Sequence, residues 1–345
     1  MKKRPTVGLA LRGASSRSIF LVGFLEVLHE QQVPIDYIAA MSGSAIVAAA
    51  YACGTLNQLR ELALGMNREV LWGILERSAT KSGVYNLDKL EETLRTFTHN
   101  KKFEEVHPLM GFVAVDITKG EEVVLSMGDI AHAARITCTV PWIFEPVRWG
   151  NRTLVDGGIM SIIPGSVVQQ AGIDLVIGVD LRNAKYIFGT TQIFMRRILN
   201  FFKSVFLLDR AGKLWEQFAE YMAGTDLFGQ YWDAGDYSRG SDYPGKFAVL
   251  GRTMDLALAA DKKYKHDKTF GCDLLVRPTI PHIPWWKRYL HLDLFDFSHT
   301  REMYELGRQT AAEYAPKIWQ MMADHETRQA EAEASLKKIM ETDNG

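Results

Sequence analysis

Three stretches of this 345-residue chain carry side chains suited to acting on an ester. In Ala40-Met41-Ser42-Gly43-Ser44 a serine stands between a short apolar stretch and an alanine-rich one. A sharp strand-to-helix turn of this kind lifts a serine above a sheet, and its usual spelling is G-x-S-x-G. Ala40 and Ser44 occupy the two glycine positions, and both are small enough to let strand and helix approach. Ser42 then sits at a helix N-terminus, where unpaired N–H groups and the macrodipole favour developing negative charge. That setting suits a nucleophile, and it equally suits a plain N-cap. Ser44 is the weaker candidate because it falls inside the following helix.

The second stretch is Arg12-Gly13-Ala14-Ser15-Ser16-Arg17-Ser18, a turn of small residues after an apolar run. Acyl transfer needs N–H donors aimed at the carbonyl oxygen that becomes an oxyanion. The backbone of Gly13, Ala14 and Ser15, with Gly43 from the serine turn, can supply them. The same string also fits an anion-binding nest or an ordinary βα turn. It spells neither a P-loop nor G-x-G-x-x-G. The third stretch is Leu154-Val155-Asp156-Gly157-Gly158. Asp156 can serve as the general base if it lies within hydrogen-bond reach of the serine hydroxyl and its surroundings raise its basicity. The competing reading is an Asp-Gly turn. Asp116 and Asp180 also end apolar runs and rank as structural or secondary.

Positioning these groups requires a layered α/β structure. Thr6–Leu11 and Tyr37–Ala40 read as short buried strands. Ile19–Gln31 has helical spacing through Leu21, Leu25 and Leu28. Gly43–Ala52 is apolar nearly all round, so it is a buried helix, with Gly54 as its C-cap. Leu56–Asn100 reads as mostly helical. Gly111–Asp116 and Glu122–Leu125 read as paired strands, Ile130–Thr137 as a short helix, and Thr153–Asp156 and Leu175–Asp180 as strands flanking a helix near Val167–Ala171. Leu274–Val276 is the last core strand and Thr300–Met321 a closing helix. The charged end from Asp324 reads as a solvated helix or a frayed tail. Continuous apolar strands alternating with helices imply a largely parallel sheet.

Composition narrows the classes. There are 40 basic and 41 acidic side chains, giving a net charge of -1, so no global field draws the chain to nucleic acid. Cys53, Cys138 and Cys272 are too scattered for a disulfide framework or a CxxC zinc site, which favours a reducing compartment. Met1-Lys2-Lys3-Arg4 imitates a signal peptide, but Arg12 and Arg17 interrupt the apolar run, and no stretch is long enough to span a membrane. Residues 187–208 mix Phe, Ile and Leu with Arg196, Arg197 and Lys203. They fit either an amphipathic interfacial helix or a helix packed on the core or in a dimer contact. Trp285-Trp286-Lys287-Arg288-Tyr289 invites the same interfacial reading.

The order of small-residue turn, serine elbow and Asp-Gly-Gly resembles the patatin-like phospholipase family. The likeness covers residues 6–183 well and 247–320 loosely. It is supported by Gly8-Leu9-Ala10-Leu11, Gly23-Phe24-Leu25-Glu26-Val27-Leu28, Ala49-Ala50-Tyr51-Ala52-Cys53-Gly54 and the Ala134–Pro146 segment. It implies a three-layer α/β/α fold with a mostly parallel central sheet and a helical insertion. Four parts follow: a core at 1–183, an aromatic-rich insertion at 184–246 serving as a lid or membrane-facing element, the rest of the core at 247–323, and a charged tail at 324–345. The resemblance implies a lipid acyl ester hydrolase of phospholipase A or lysophospholipase type, with a Ser42–Asp156 dyad, an acyl-enzyme, no cofactor and no metal. Gly13, Ala14, Ser15 and Gly43 are the implied oxyanion donors. Arg17 matches the arginine of the family's G-G-G-x-R-G turn and is implied to orient the turn or meet a lipid phosphate, with an ordinary surface or helix-cap arginine as the alternative. The implied setting is cytoplasmic, peripheral at the inner membrane face, with a lipid or lysolipid substrate.

Five glycine positions of that pattern hold Ala14, Ser15, Ser18, Ala40 and Ser44, and Ser161-Ile162-Ile163-Pro164 lacks the asparagine often found before Ile-Pro. These departures support a second reading, a catalytically weakened domain acting as a lipid-binding or interaction module. A third reading is an α/β-hydrolase in which His282, His291 or His299 joins Ser42 and an aspartate. A nucleotide-binding protein is more distant, because no phosphate loop is spelled out.

Overall fold

The structure is a computed structural model and describes residues 4–66, 70, 73–78, 83–141, 143–181, 249, 252–253, 256–257, 260, 269–280, 297 and 299–343. In chain order these form β1 (Val7–Leu11), a 3-10 turn (Ser15–Ser18), α1 (Ile19–Glu30), β2 (Tyr37–Ala40), α2 (Gly43–Cys53) and α3 (Leu56–Leu64). Next come β3 (Glu76–Arg77), β4 (Tyr85–Asn86), α4 (Asp88–Thr98), β5 (Leu109–Asp116), β6 (Glu121–Leu125) and α5 (Ile130–Thr137). The chain continues through β7 (Val147–Trp149), β8 (Arg152–Asp156), α6 (Gly165–Gln170), β9 (Leu175–Val179), β10 (Leu274–Val276) and α7 (Thr300–Asp343). The 184–246 insertion, the 187–208 stretch and Trp285–Tyr289 lie outside the described residues.

The main sheet has the order β10-β9-β1-β2-β5-β8-β7, with β6 also paired to β5. The pairs from β10 to β5 are parallel, and those joining β5, β6, β7 and β8 are antiparallel. Both faces are covered, and strand alternation shows how. Val7, Leu9 and Leu11 of β1, Ile38 and Ala40 of β2, and Leu175, Ile177 and Val179 of β9 enter one core with α1, α2 and α7. Ala10, Ala39, Met41, Val113 and Val176 enter the other with Ile163, Val167, Val168 and Phe270. The result is the three-layer α/β/α arrangement.

α1 follows the small-residue turn directly and is buried from Ile19 to Leu28. Its one buried charge, Glu26, is paired by Arg60 at 2.9 Å and Arg308 at 3.2 Å and accepts a hydrogen bond from Tyr304 at 2.5 Å. α7 lies so close to α1 that side chains at Gly23 or Gly307 would run into the opposite backbone. The turn is thereby seated on a fixed helix. Among the described residues no helix is long and apolar enough to cross a membrane.

Three details refine the reading. Leu56–Asn100 is mostly helical among its described residues, but α3 stops at Gly65 and β3 pairs with β4 before α4 begins. The Val84 and Tyr85 amides bond instead to the Ile143 carbonyl. β7 was not expected, because three residues display no period; it pairs with β8 across Gly150, whose φ of 62° suits glycine. α7 runs on through Asp343 rather than ending near Met321, and its last turns form the solvated helix that the charged residues allow.

Candidate active site

The pairing around β5 brings the serine and aspartate stretches together. Phe112 pairs with both Ala40 and Leu125, and Ala114 pairs with both Asp156 and Val123. β6 therefore takes one edge of β5, while β2 and β8 share the other. β2 runs parallel to β5 and β8 antiparallel, so their C-terminal ends meet head-on with only Val113 between them. Ala40 leads into Ser42 from one side, and Asp156 ends β8 from the other. Gly157 is required at this junction, because a side chain there would collide with the Val113 carbonyl.

Ser42 is held in a conformation rare for a side-chain-bearing residue, φ 54° and ψ −140°. Such geometry typically costs about 1–3 kcal/mol and persists only when its surroundings enforce it. The enforcement is visible. The Ser42 carbonyl accepts from the Ala45 amide at 2.9 Å, and the Ser42 amide donates to Thr137 Oγ1 at 3.0 Å. Ser44, fully buried, ties the turn from below: its hydroxyl lies 2.7 Å from the Met41 carbonyl and 3.0 Å from that of Leu11, and accepts from the Met41 amide at 3.1 Å. Ser44 is thus a structural residue. Ser42 itself is half-buried and makes no side-chain cap to its helix, so the plain N-cap reading does not describe it.

The Ser42 side chain stands close enough to the Asp156 carboxylate to favour its ionised form. Asp156 is 5% exposed, and burial pushes its carboxyl from an ordinary 3.8 up to about 6. The Ser42 side chain, the Gly158 amide at 2.7 Å and the nearby charge of Arg12 oppose that rise. The Asp156 amide is fixed by the Thr139 carbonyl at 2.9 Å. Burial and the adjacent Asp156 also push the Cys138 thiol well up, which keeps it neutral.

The small-residue turn abuts the elbow. A methyl at Gly13 would lie 2.9 Å from Ser42 Cβ and 3.2 Å from the Met41 carbonyl oxygen. One at Gly43 would lie 2.7 Å from Ser18 Oγ and 3.0 Å from the Ser15 carbonyl oxygen. The Gly43 amide opens α2 and has no intrahelical acceptor. Both close-packed positions have kept glycine. Of the five replaced glycines, Ala14 (φ −140°) and Ser18 (φ −61°) take ordinary backbone, as do Ala40 in β2 and Ser44 in α2. Only Ser15, at φ 50°, occupies the left-handed region. The departures therefore strain one position, not five. Arg17 is tied to the turn and to Leu181, its amide bonding the Ala14 carbonyl at 3.0 Å and its guanidinium reaching the Leu181 carbonyl at 3.4 Å. Gly13→Ala is expected to lower kcat about tenfold or more by displacing Ser42, a loss readable in steady-state hydrolysis of a fluorogenic acyl ester.

The remaining candidates fall elsewhere. Asp116 Oδ1 accepts from the Thr118 amide at 3.0 Å and organises the β5–β6 turn, while Asp180 lies 3.5 Å from Arg277. His299 pairs with Glu302 at 2.9 Å at the start of α7, and His282 and His291 lie outside the described residues. Among the described residues no histidine bonds Ser42 or Asp156. Thr137 and Thr139, which bond the pair, and Arg12, whose charge lies near Asp156, were not singled out as site residues from the sequence. Thr137 and Thr139 lie in the Ala134–Pro146 segment, which contributed to the resemblance only as a string.

Residues 9–166 match the family profile described as "Patatin-like phospholipase". Over that stretch the chain is a patatin-like phospholipase domain. Members of this family are in general lipid acyl hydrolases. The chain is 26% identical over 181 residues to the "Uncharacterized NTE family protein Rv1063c" of Mycobacterium tuberculosis, covering 52% of this chain and 50% of that one. It is 28% identical over 200 residues to the "Uncharacterized protein YqhO" of Bacillus subtilis, covering 49% of this chain and 69% of the other. It is 24% identical over 183 residues to mouse "Patatin-like phospholipase domain-containing protein 6", covering 51% of this chain and 13% of the mouse protein. The match thus spans about half the length of the mycobacterial relative.

Proposed function

We propose that this patatin-like domain hydrolyses lipid acyl esters of the phospholipase A or lysophospholipase type through a Ser42–Asp156 dyad. The observation that carries the proposal is the meeting, along one edge of β5, of the strained, half-buried Ser42 with a buried Asp156 carboxylate raised to about 6. Asp156 takes the proton from Ser42 Oγ as the oxygen attacks the ester carbonyl. The amides of Gly13, Ala14, Ser15 and Gly43 receive the tetrahedral oxyanion, each such donor being worth about 2.7–4 kcal/mol. The alcohol or lysolipid leaves with the proton held by Asp156. Water, activated by the same carboxylate, then releases the fatty acid and restores Ser42. A carboxylate near 6 is a stronger base than one near 3.8, yet it is ionised at neutral pH. The weakened-domain reading loses ground because four of the five replaced glycines occupy conformations that need none.

The test is fatty-acid release from diacyl phospholipid vesicles, lysophospholipid micelles and a neutral glyceride emulsion, followed by mass spectrometry. Release from either of the first two at least tenfold faster than from the glyceride is expected. Release from the glyceride alone defeats the substrate assignment, and release from none defeats the activity.

A further inference from the structure

Resting on this reading of the dyad, we propose that Thr137 is the positioning residue that sets the approach of Ser42 to Asp156. Thr137 ends α5, is fully buried, and stands at the gap where β2 and β8 meet. Its hydroxyl is used on both sides. It accepts from the Ser42 amide at 3.0 Å and donates to the Val113 carbonyl. Val113 is the β5 residue between the partners of Ala40 and Asp156. Two residues later the Thr139 carbonyl holds the Asp156 amide at 2.9 Å. One three-residue segment therefore grips the backbone of both reacting residues, Ser42 through a side chain and Asp156 through a carbonyl.

The grip acts where it is needed. The Ser42 backbone is held against its own conformational preference, and the amide bonded by Thr137 belongs to the strained residue itself. Removing the hydroxyl frees the Ser42 amide and the Val113 carbonyl from their shared partner and lets the elbow relax. Thr137 touches no reacting atom, so its loss weakens the chemical step and not the capture of substrate. The methyl group of Thr137 has no part in this, and serine should replace threonine with little effect.

The experiment compares Thr137→Val, Thr137→Ala and Thr137→Ser by kcat and KM on a fluorogenic acyl ester, with amide hydrogen exchange of residues 41–44 read by mass spectrometry. The valine and alanine variants should lose about 10–100-fold in kcat with KM within about twofold, and their 41–44 amides should exchange faster. The serine variant should stay within about threefold of the parent in kcat and keep its protection. Should the valine variant not fold, the serine–alanine pair decides alone. Parent-like kcat in the alanine variant, or a serine variant as impaired as alanine, overturns the role of Thr137 while leaving the dyad standing. A parent protein without Ser42-dependent turnover overturns both.

Discussion

Ser42→Gly is expected to abolish turnover and to raise stability at the same time. Glycine adopts φ 54°, ψ −140° at little steric cost, whereas a side chain there typically costs about 1–3 kcal/mol. The greater freedom of glycine in the unfolded chain takes back about 0.5–1 kcal/mol, leaving a net gain of up to about 2.5 kcal/mol. Ser42→Ala retains the Cβ and hence the strain, so it should lose activity without the gain. Both should lower kcat by about four orders of magnitude or more, on the scale seen when a hydrolase nucleophile is removed. Urea midpoints of the three proteins, with turnover of an acyl ester, check both halves. A glycine variant no more stable than the alanine one would show that the elbow stores no strain.

Asp156→Asn is expected to have the second-largest effect, and its two consequences follow opposite pH courses. The carboxyl titrates at about 6 in the folded chain and near 3.8 in the unfolded one. Between those values the folded state binds the proton more tightly, so the stability this provides is complete below 3.8 and is lost as pH rises through about 6. That difference is worth about 3 kcal/mol. Asparagine does not titrate, keeps an oxygen for the Gly158 amide and avoids the buried charge. The variant should therefore match the parent near pH 4 and exceed it by about 1–3 kcal/mol at pH 8 in denaturant unfolding. Activity runs the other way. In the parent, kcat/KM should rise with pH through an apparent pKa near 6 and reach a plateau above it, because the base works only when ionised. Asparagine should remove both the activity and this limb. An acid limb near 4 in the parent would show that burial does not tune the base.

Much of this was legible in the chain, for identifiable reasons. β1, β2 and β9 are continuous apolar runs, and α2 ends where Gly54 takes its left-handed cap at φ 77°. Ser42 and Asp156 stood out because each stands at the end of an apolar strand and precedes glycine. Their pairing came only from the family resemblance, not from any local pattern. It depends on the pairing of Ala40 with Phe112 and of Asp156 with Ala114 along one edge of β5, contacts far apart in sequence. Thr137 was invisible for a related reason: a threonine ending a helix looks alike whether its hydroxyl faces its own turn or another element's amide. The short strands β3, β4 and β7 are below the length at which alternation can register.

The central claim is that Ser42 and Asp156 form one reacting couple. Its most direct test is covalent labelling with a fluorophosphonate, followed by intact mass and peptide mapping of the full chain. The account predicts a single adduct on Ser42 in the parent, at least tenfold slower labelling in Asp156→Asn, and none in Ser42→Ala. Ester turnover that persists in Ser42→Ala, or an adduct mapped to another serine, would contradict it.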